Sequence, residues 1–160
     1  YPRYTSLRPA FERDWAKFCL FLGSAGIDAP SIRQCEVTYI NHIDVGMGWE
    51  TLSDMSSMFP CWAGVSSGDF LPEPEVVALK TRYAMPGGHG SLHIAIEPAV
   101  RHSDAKDVLQ VTISSRGRPV SSVTADILRW LDLGHEWVVR GFTDFTSTKM
   151  HQLWERKSQQ

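Results

Sequence analysis

Apolar residues recur at helical spacing near both ends of the chain and at alternate positions between them. Phe11, Trp15, Phe18 and Leu22 step by four, three and four, which sets them on one face of a helix; Glu12, Arg13 and Lys17 fall elsewhere on the wheel. Thr5 or Ser6 can cap its start, Pro9 is tolerable in the first turn, and Gly23 or Gly26 ends it. A helix of this kind needs an apolar surface to lie on.

Four alternating stretches supply that surface. In Cys35–Ile43 the odd positions are Cys35, Val37, Tyr39, Asn41 and Ile43, against Glu36, Thr38, Ile40 and His42. From Val76 to Met85 the odd set is Val77, Leu79, Thr81, Tyr83 and Met85, while Lys80 and Arg82 take the other face. Leu92, Ile94 and Ile96 alternate with His93, Ala95 and Glu97, and Leu109, Val111 and Ile113 with Gln110, Thr112 and Ser114. One dry face and one polar face is the signature of an antiparallel sheet; a parallel sheet covered on both sides would read as continuous apolar runs. The Gly-rich stretch Pro86–Gly90 joins the second and third strands as a hairpin. A centred register places Met85 opposite Leu92, Tyr83 opposite Ile94 and Lys80 opposite Glu97.

Residues 44–75, between the first and second strands, hold four glycines and three prolines, so they read as a loop with a short helix near Glu50–Met58. The loop also carries Trp49, Met55, Met58, Phe59, Trp62 and Phe70. Two readings follow: the aromatics close one end of the core, or they form a flap over a pocket. Beyond the sheet, Val123, Ile127, Leu131, Gly134, Val138, Gly141 and Phe145 form the stripe of a long helix flanked by Trp130 and Trp137. Two glycines on its apolar face imply close approach to a neighbour, offsetting a cost of about 1 kcal/mol each. A break at Thr143–Thr146 precedes a last helix that buries Met150, Leu153 and Trp154, and the tail after it is polar.

The fold class expected is α+β: a mainly antiparallel four-stranded sheet with an N-terminal and a long C-terminal helix packed on one face, all in one domain spanning 1–160. Lys and Arg number 16 against 18 Asp and Glu, for a net charge of −2, which makes nucleic acid an unfavoured partner. No apolar run approaches the ~18–20 residues of a membrane span, so no membrane partner is expected. Three cysteines without metal-like spacing fit a reducing cytoplasm.

Candidate chemistry is sparse. Gly64-Val65-Ser66-Ser67-Gly68 has the form of a nucleophile elbow, but prolines on both sides leave no helix to follow the serine. His89 and His93 have the spacing of a metal pair on a helix, yet a hairpin turn and a strand would set them roughly 13 Å apart. No P-loop, dinucleotide fingerprint, CxxC pair or HExxH occurs, so neither a cofactor nor a metal is called for. His135, beside the glycine stripe and within a turn of Asp132, can be a boundary histidine or an acid–base group. The polar sheet face can be solvated, or covered by another domain, a second subunit or a ligand; Ile40 in its midst favours partial cover.

The segments Tyr1-Pro-Arg-Tyr, Cys35–Ile43, Leu131–Thr146 and Met150-His-Gln-Leu-Trp resemble the C-terminal part of a sporadically distributed family of uncharacterised bacterial proteins. The resemblance implies that the chain is the C-terminal part of a longer protein in a bacterial cytosol. It carries no reaction, so no catalytic residue comes with it. Tyr39, Asn41, His42, His135 and Phe142 are the positions matching its motifs.

These observations favour a binding or interaction module over an enzyme, self-associating or meeting an N-terminal domain of the parent chain. The alternative is a small-molecule sensor or enzyme with a pocket between the 44–75 loop and the sheet. Candidate ligand-binding residues are Tyr39, Asn41, His42, Trp49 and His135.

Overall fold

The computed structural model describes residues 3–64, 70–72 and 74–155. Helix α1 (Tyr4–Ser24) leads into strand β1 (Cys35–Asp44); a short α2 (Met55–Met58) follows, then β2 (Leu79–Met85), β3 (Gly90–Arg101), β4 (Lys106–Gly117), α3 (Thr124–Phe145) and α4 (Thr148–Glu155). The strands form one antiparallel sheet in the order β1-β4-β3-β2, so β1 and β2 are its edges. This is the α+β architecture that the alternation implied.

Both faces follow the period of two. Tyr39, Ile113, Ile94 and Thr81 stand in one row across the sheet, and Asn41, Val111, Ile96 and Leu79 in the next. Ile94, Ile96, Leu109, Val111 and Ile113 are almost wholly buried on that dry side. Each such side chain contributes about 1.5–3 kcal/mol relative to leaving it in water.

The hairpin register is displaced from the centred one. Met85 pairs with Gly90, Tyr83 with Leu92 and Lys80 with Ala95. Strand β3 starts at Gly90, whose φ of +138° suits glycine and whose missing Cβ would lie within 2.0 Å of the Arg116 carbonyl oxygen. The strand therefore begins inside the glycine run and not after it. A slip of two residues keeps every side chain on its expected face, which is why the face assignment survives.

Helix α3 crosses the dry face over β1 and β4. A Cβ added at Gly134 would stand 2.6 Å from Ser115 Oγ and 3.2 Å from Val37 Cγ2, and one at Gly141 would stand 2.5 Å from Leu92 Cδ2. The helix backbone thus sits directly on the sheet at both glycines. Trp130 on the same helix is buried and donates its indole N–H to the His89 carbonyl at 2.9 Å.

Helix α1 lies on the same side, against α3. Trp15 packs on the cluster of Cys35, Ile127 and Trp130, and its indole N–H reaches Thr124 Oγ1 at 3.2 Å. The expected apolar stripe is only partly used: Leu22 is buried, whereas Phe11 and Phe18 remain 41% and 45% exposed. The helix also starts earlier than the capping residues suggested; Arg3 is the N-cap, and Ser6 Oγ donates back to its carbonyl.

Most of the 44–75 aromatics close one end of the core. Trp49, Met55, Met58 and Phe59 are buried with Phe145 and Met150. Asp54 accepts the N–H groups of Glu50 and Thr51, both at 2.9 Å, fixing the turn into α2. Phe70, by contrast, is exposed. Thr146 terminates α3 by donating its hydroxyl to the Phe142 carbonyl at 2.7 Å, and Ser147 starts α4. Met150 is fully buried, and Trp154 stacks on Phe142.

Candidate functional site

Three of the five candidate residues gather along the open edge of β1. Tyr39, Asn41 and His42 line a groove of about 750 Å³ whose other wall is Tyr4, Leu7, Arg8 and Phe11 of α1. The groove exists because α1 rests against α3 and overhangs the sheet edge, leaving β1 with a strand on one side only. Neighbouring side chains along β1 point to opposite faces. Tyr39 and Asn41 therefore face the helices, and His42 faces the polar side with Ile40 and Thr38.

His135 stands behind this groove. The Tyr4 ring lies over its imidazole at 3.9 Å with 6° between planes, and the Tyr39 hydroxyl is 3.1 Å from its Nδ1. Burial pushes the imidazole pKa down, with Asp132 opposing, so the neutral ring is favoured. Tyr4 donates its hydroxyl to Asp132 at 2.7 Å, and Arg8 holds the same carboxylate at 3.3 Å through Nε and Nη2. Burial, then the Asp132 contact, drives the Tyr4 phenol well above its ordinary range; burial also raises that of Tyr39. The cluster pins the first turn of α1 to α3. Both phenols therefore keep their protons at neutral pH.

On the polar face the side chains pair in short chains. His42 Nε2 is 3.2 Å from Gln110 Oε1, and Gln110 donates to Thr112. Glu36 accepts from Thr38 at 2.8 Å and pairs with Arg116 at 3.0 Å; the Thr38 hydroxyl first, then Arg116, holds its carboxyl below the usual range. His93 is depressed by burial and by Arg116 and Arg82. This face is therefore largely satisfied from within.

Trp49 stands apart from the other candidates. It is buried in the core and donates its indole N–H to the Ile43 carbonyl at 3.0 Å, so it braces the chain leaving β1. The structure thus does not bring Asn41, His42 and His135 to one cavity beside the 44–75 segment. No group of three or more His, Cys, Asp or Glu side chains placed to hold a metal ion occurs among the described residues, His89 and His93 included. Residues 65–68 of the elbow-like sequence lie outside the described residues.

Sequence reasoning placed Asp132 beside His135 but missed Tyr4 and Arg8, which close on it. Tyr4 and Arg8 are four apart and so share a helix face, but nothing in the period says that this face meets Asp132 some 128 residues later. A second cavity, a cleft of about 420 Å³ between α3 and the β2 side of the sheet, does meet the 44–75 segment, at Cys61, but none of the five candidate residues lines it.

Comparison with protein-family models, with curated proteins and with solved structures gives no match to this chain. No helix among the described residues is long and apolar enough to cross a membrane.

Proposed function

We propose that the chain is a binding module that takes an extended polypeptide segment along the open edge of β1, beneath α1. The observation that carries this reading is the chemistry of that edge. Val37 to Ile43 is a run of seven residues with no Asp, Glu, Lys or Arg, rich in β-branched and aromatic side chains, and it has no strand on its outer side, with Trp49 taking the carbonyl at its Ile43 end. Natural edge strands are usually blunted by lysine, proline or a bulge. The opposite edge obeys this, with Lys80 and Arg82 among the seven residues of β2. β1 instead keeps its two charges, Glu36 and Asp44, at its ends and leaves the seven residues between them without one, which fits a strand that takes a partner in the groove beneath α1.

The surroundings suit such an occupant. An added strand would hydrogen-bond to β1 through its backbone and lay alternate side chains against Leu7 and Phe11 above and Ile40 beside it. The segment of matching alternation nearest to hand is β1 of a second copy, so self-association is the first form to test. His42 on Gln110, Glu36 on Thr38 and Arg116, and the stacked His135 supply shape and hydrogen bonds to this reading.

Light scattering after size exclusion, over protein concentrations from about 5 µM to 1 mM, tests the proposal. The expected outcome is a concentration-dependent dimer that Ile40→Lys abolishes without lowering thermal stability. A synthetic peptide copying Val37–Ile43 should compete with it and shift the β1 amide resonances. A strict monomer with β1 amides unmoved by the peptide would overturn the reading.

A further inference from the structure

We propose that the cleft between α3 and β2 is a second binding site, for a small organic cation with a flat apolar body. It lies on the opposite flank of α3 from the β1 groove and does not depend on it.

The cleft follows from where α3 sits. Because the helix crosses β1 and β4, the dry face of β2 is left without a roof at Tyr83, although Leu79 and Met85 on either side pack into the core. Tyr83, which alternation puts on the dry side, is 42% exposed there. Its neighbour Leu92 and the next residue on that face, Ile94, form the floor, and Trp137 and Phe145 of α3 form the far wall. Gly141 deepens the hollow, since the helix presents no side chain where it meets Leu92. Cys61, at the end of the core-closing segment, bounds it on one side. A hollow of about 420 Å³ is in the range that holds small molecules.

Charge at the mouth selects among them. Glu136 and Arg140 pair at 2.8 Å and cancel. Asp144, one turn further on, makes no ion pair among the described residues and leaves the rim one negative charge in excess. Burial raises the Cys61 thiol, so that side chain adds no further charge. An ammonium at the mouth would meet Asp144, with the π faces of Tyr83 and Trp137 within reach to add cation–π attraction. The apolar floor would take a flat hydrocarbon or heteroaromatic body. An anion would instead meet a like charge, and a small polar molecule would leave the floor wet.

Tryptamine, neutral N-acetyltryptamine and anionic indole-3-propionate share one body and differ in charge, so they separate these terms. Each is titrated into the chain and followed by amide chemical shifts. Tryptamine should saturate, moving Leu92, Trp137 and Gly141, and should bind about fivefold more tightly than the neutral analogue, with the anion weakest. Asp144→Asn should remove most of the advantage of tryptamine over the neutral compound, leaving the cation–π share, and Tyr83→Ala should weaken both. Both positions are exposed, and an unchanged far-UV spectrum would show that the variants fold. Equal binding of the three compounds, shifts confined to β1 or α1, indifference to Asp144→Asn, or no saturation by about 10 mM would each overturn the proposal.

Discussion

The Tyr4 ring lies flat on the His135 imidazole, with centroids 3.9 Å apart, and so ties the first turn of the chain to the middle of its longest helix. The stack is made with a ring whose burial disfavours the charged form. Folded His135 consequently binds fewer protons than unfolded His135 wherever the pH lies between its depressed value and the ordinary one. Stability must then fall as pH falls through that window. The melting temperature should drop between about pH 7.5 and 5.5, and His135→Phe should flatten the drop while keeping the stack. His93, also depressed by burial, supplies the remaining slope, which His93→Gln should remove. A profile unchanged by His135→Phe would mean that the imidazole is not held neutral.

Asp132 receives both Tyr4 and Arg8, yet it is half exposed, so water screens its pair with Arg8 and the pair adds little to global stability. Asp132→Ala should leave the global urea midpoint nearly unchanged. Hydrogen exchange should tell a different story, with α1 amides losing protection while those of β3 and β4 keep theirs.

The two glycines of α3 should respond differently to alanine. At Gly134 the added methyl meets Ser115, Trp130 and Val37, which are packed and cannot withdraw. At Gly141 it meets only the tip of Leu92, a side chain that can rotate. Overpacking costs about 1–3 kcal/mol, and the helical preference of alanine returns up to about 1. Urea unfolding should show Gly134→Ala destabilised by about 1–2 kcal/mol and Gly141→Ala close to neutral. Gly141→Ala should nonetheless weaken tryptamine binding, because its methyl fills part of the cleft.

Phe59 tests the role of the segment between β1 and β2. It is fully buried and lies 5.8 Å, centroid to centroid, from Phe145. Phe59→Ala should cost about 3–5 kcal/mol by chemical denaturation, the penalty of a large core truncation. A cost below about 1 kcal/mol would mean that the segment is a detachable flap and not part of the core.

What could be read from the residues and what could not divide along physical lines. A period of two along Cys35–Ile43 or Leu109–Ile113 reports a burial asymmetry, and burial asymmetry is what builds a one-sided sheet. Gly134 and Gly141 announced a close approach because glycine in a helix interior is unfavourable without a packing reason. The hairpin register escaped because a shift of two preserves parity, so only the glycine backbone at Gly90 decides it. The roles of Tyr4 and Tyr83 escaped for a deeper reason. A periodic stripe tells which face of a helix is dry, but not which strands that face will cover, and both grooves are defined by what the helices leave bare. Trp49 shows the converse: an aromatic in a glycine-rich stretch was read as a candidate for binding, and its N–H is spent on the Ile43 carbonyl.

Seven residues separate Gly134 from Gly141, two turns or roughly 10 Å along the axis. Resting on bare backbone at two such points, the long helix stands like a beam on two footings and has no side-chain ridge by which to ratchet along the strands beneath. A guest on either flank thus meets a frame whose span is already set, and recognition there becomes a matter of fitting the gap as found.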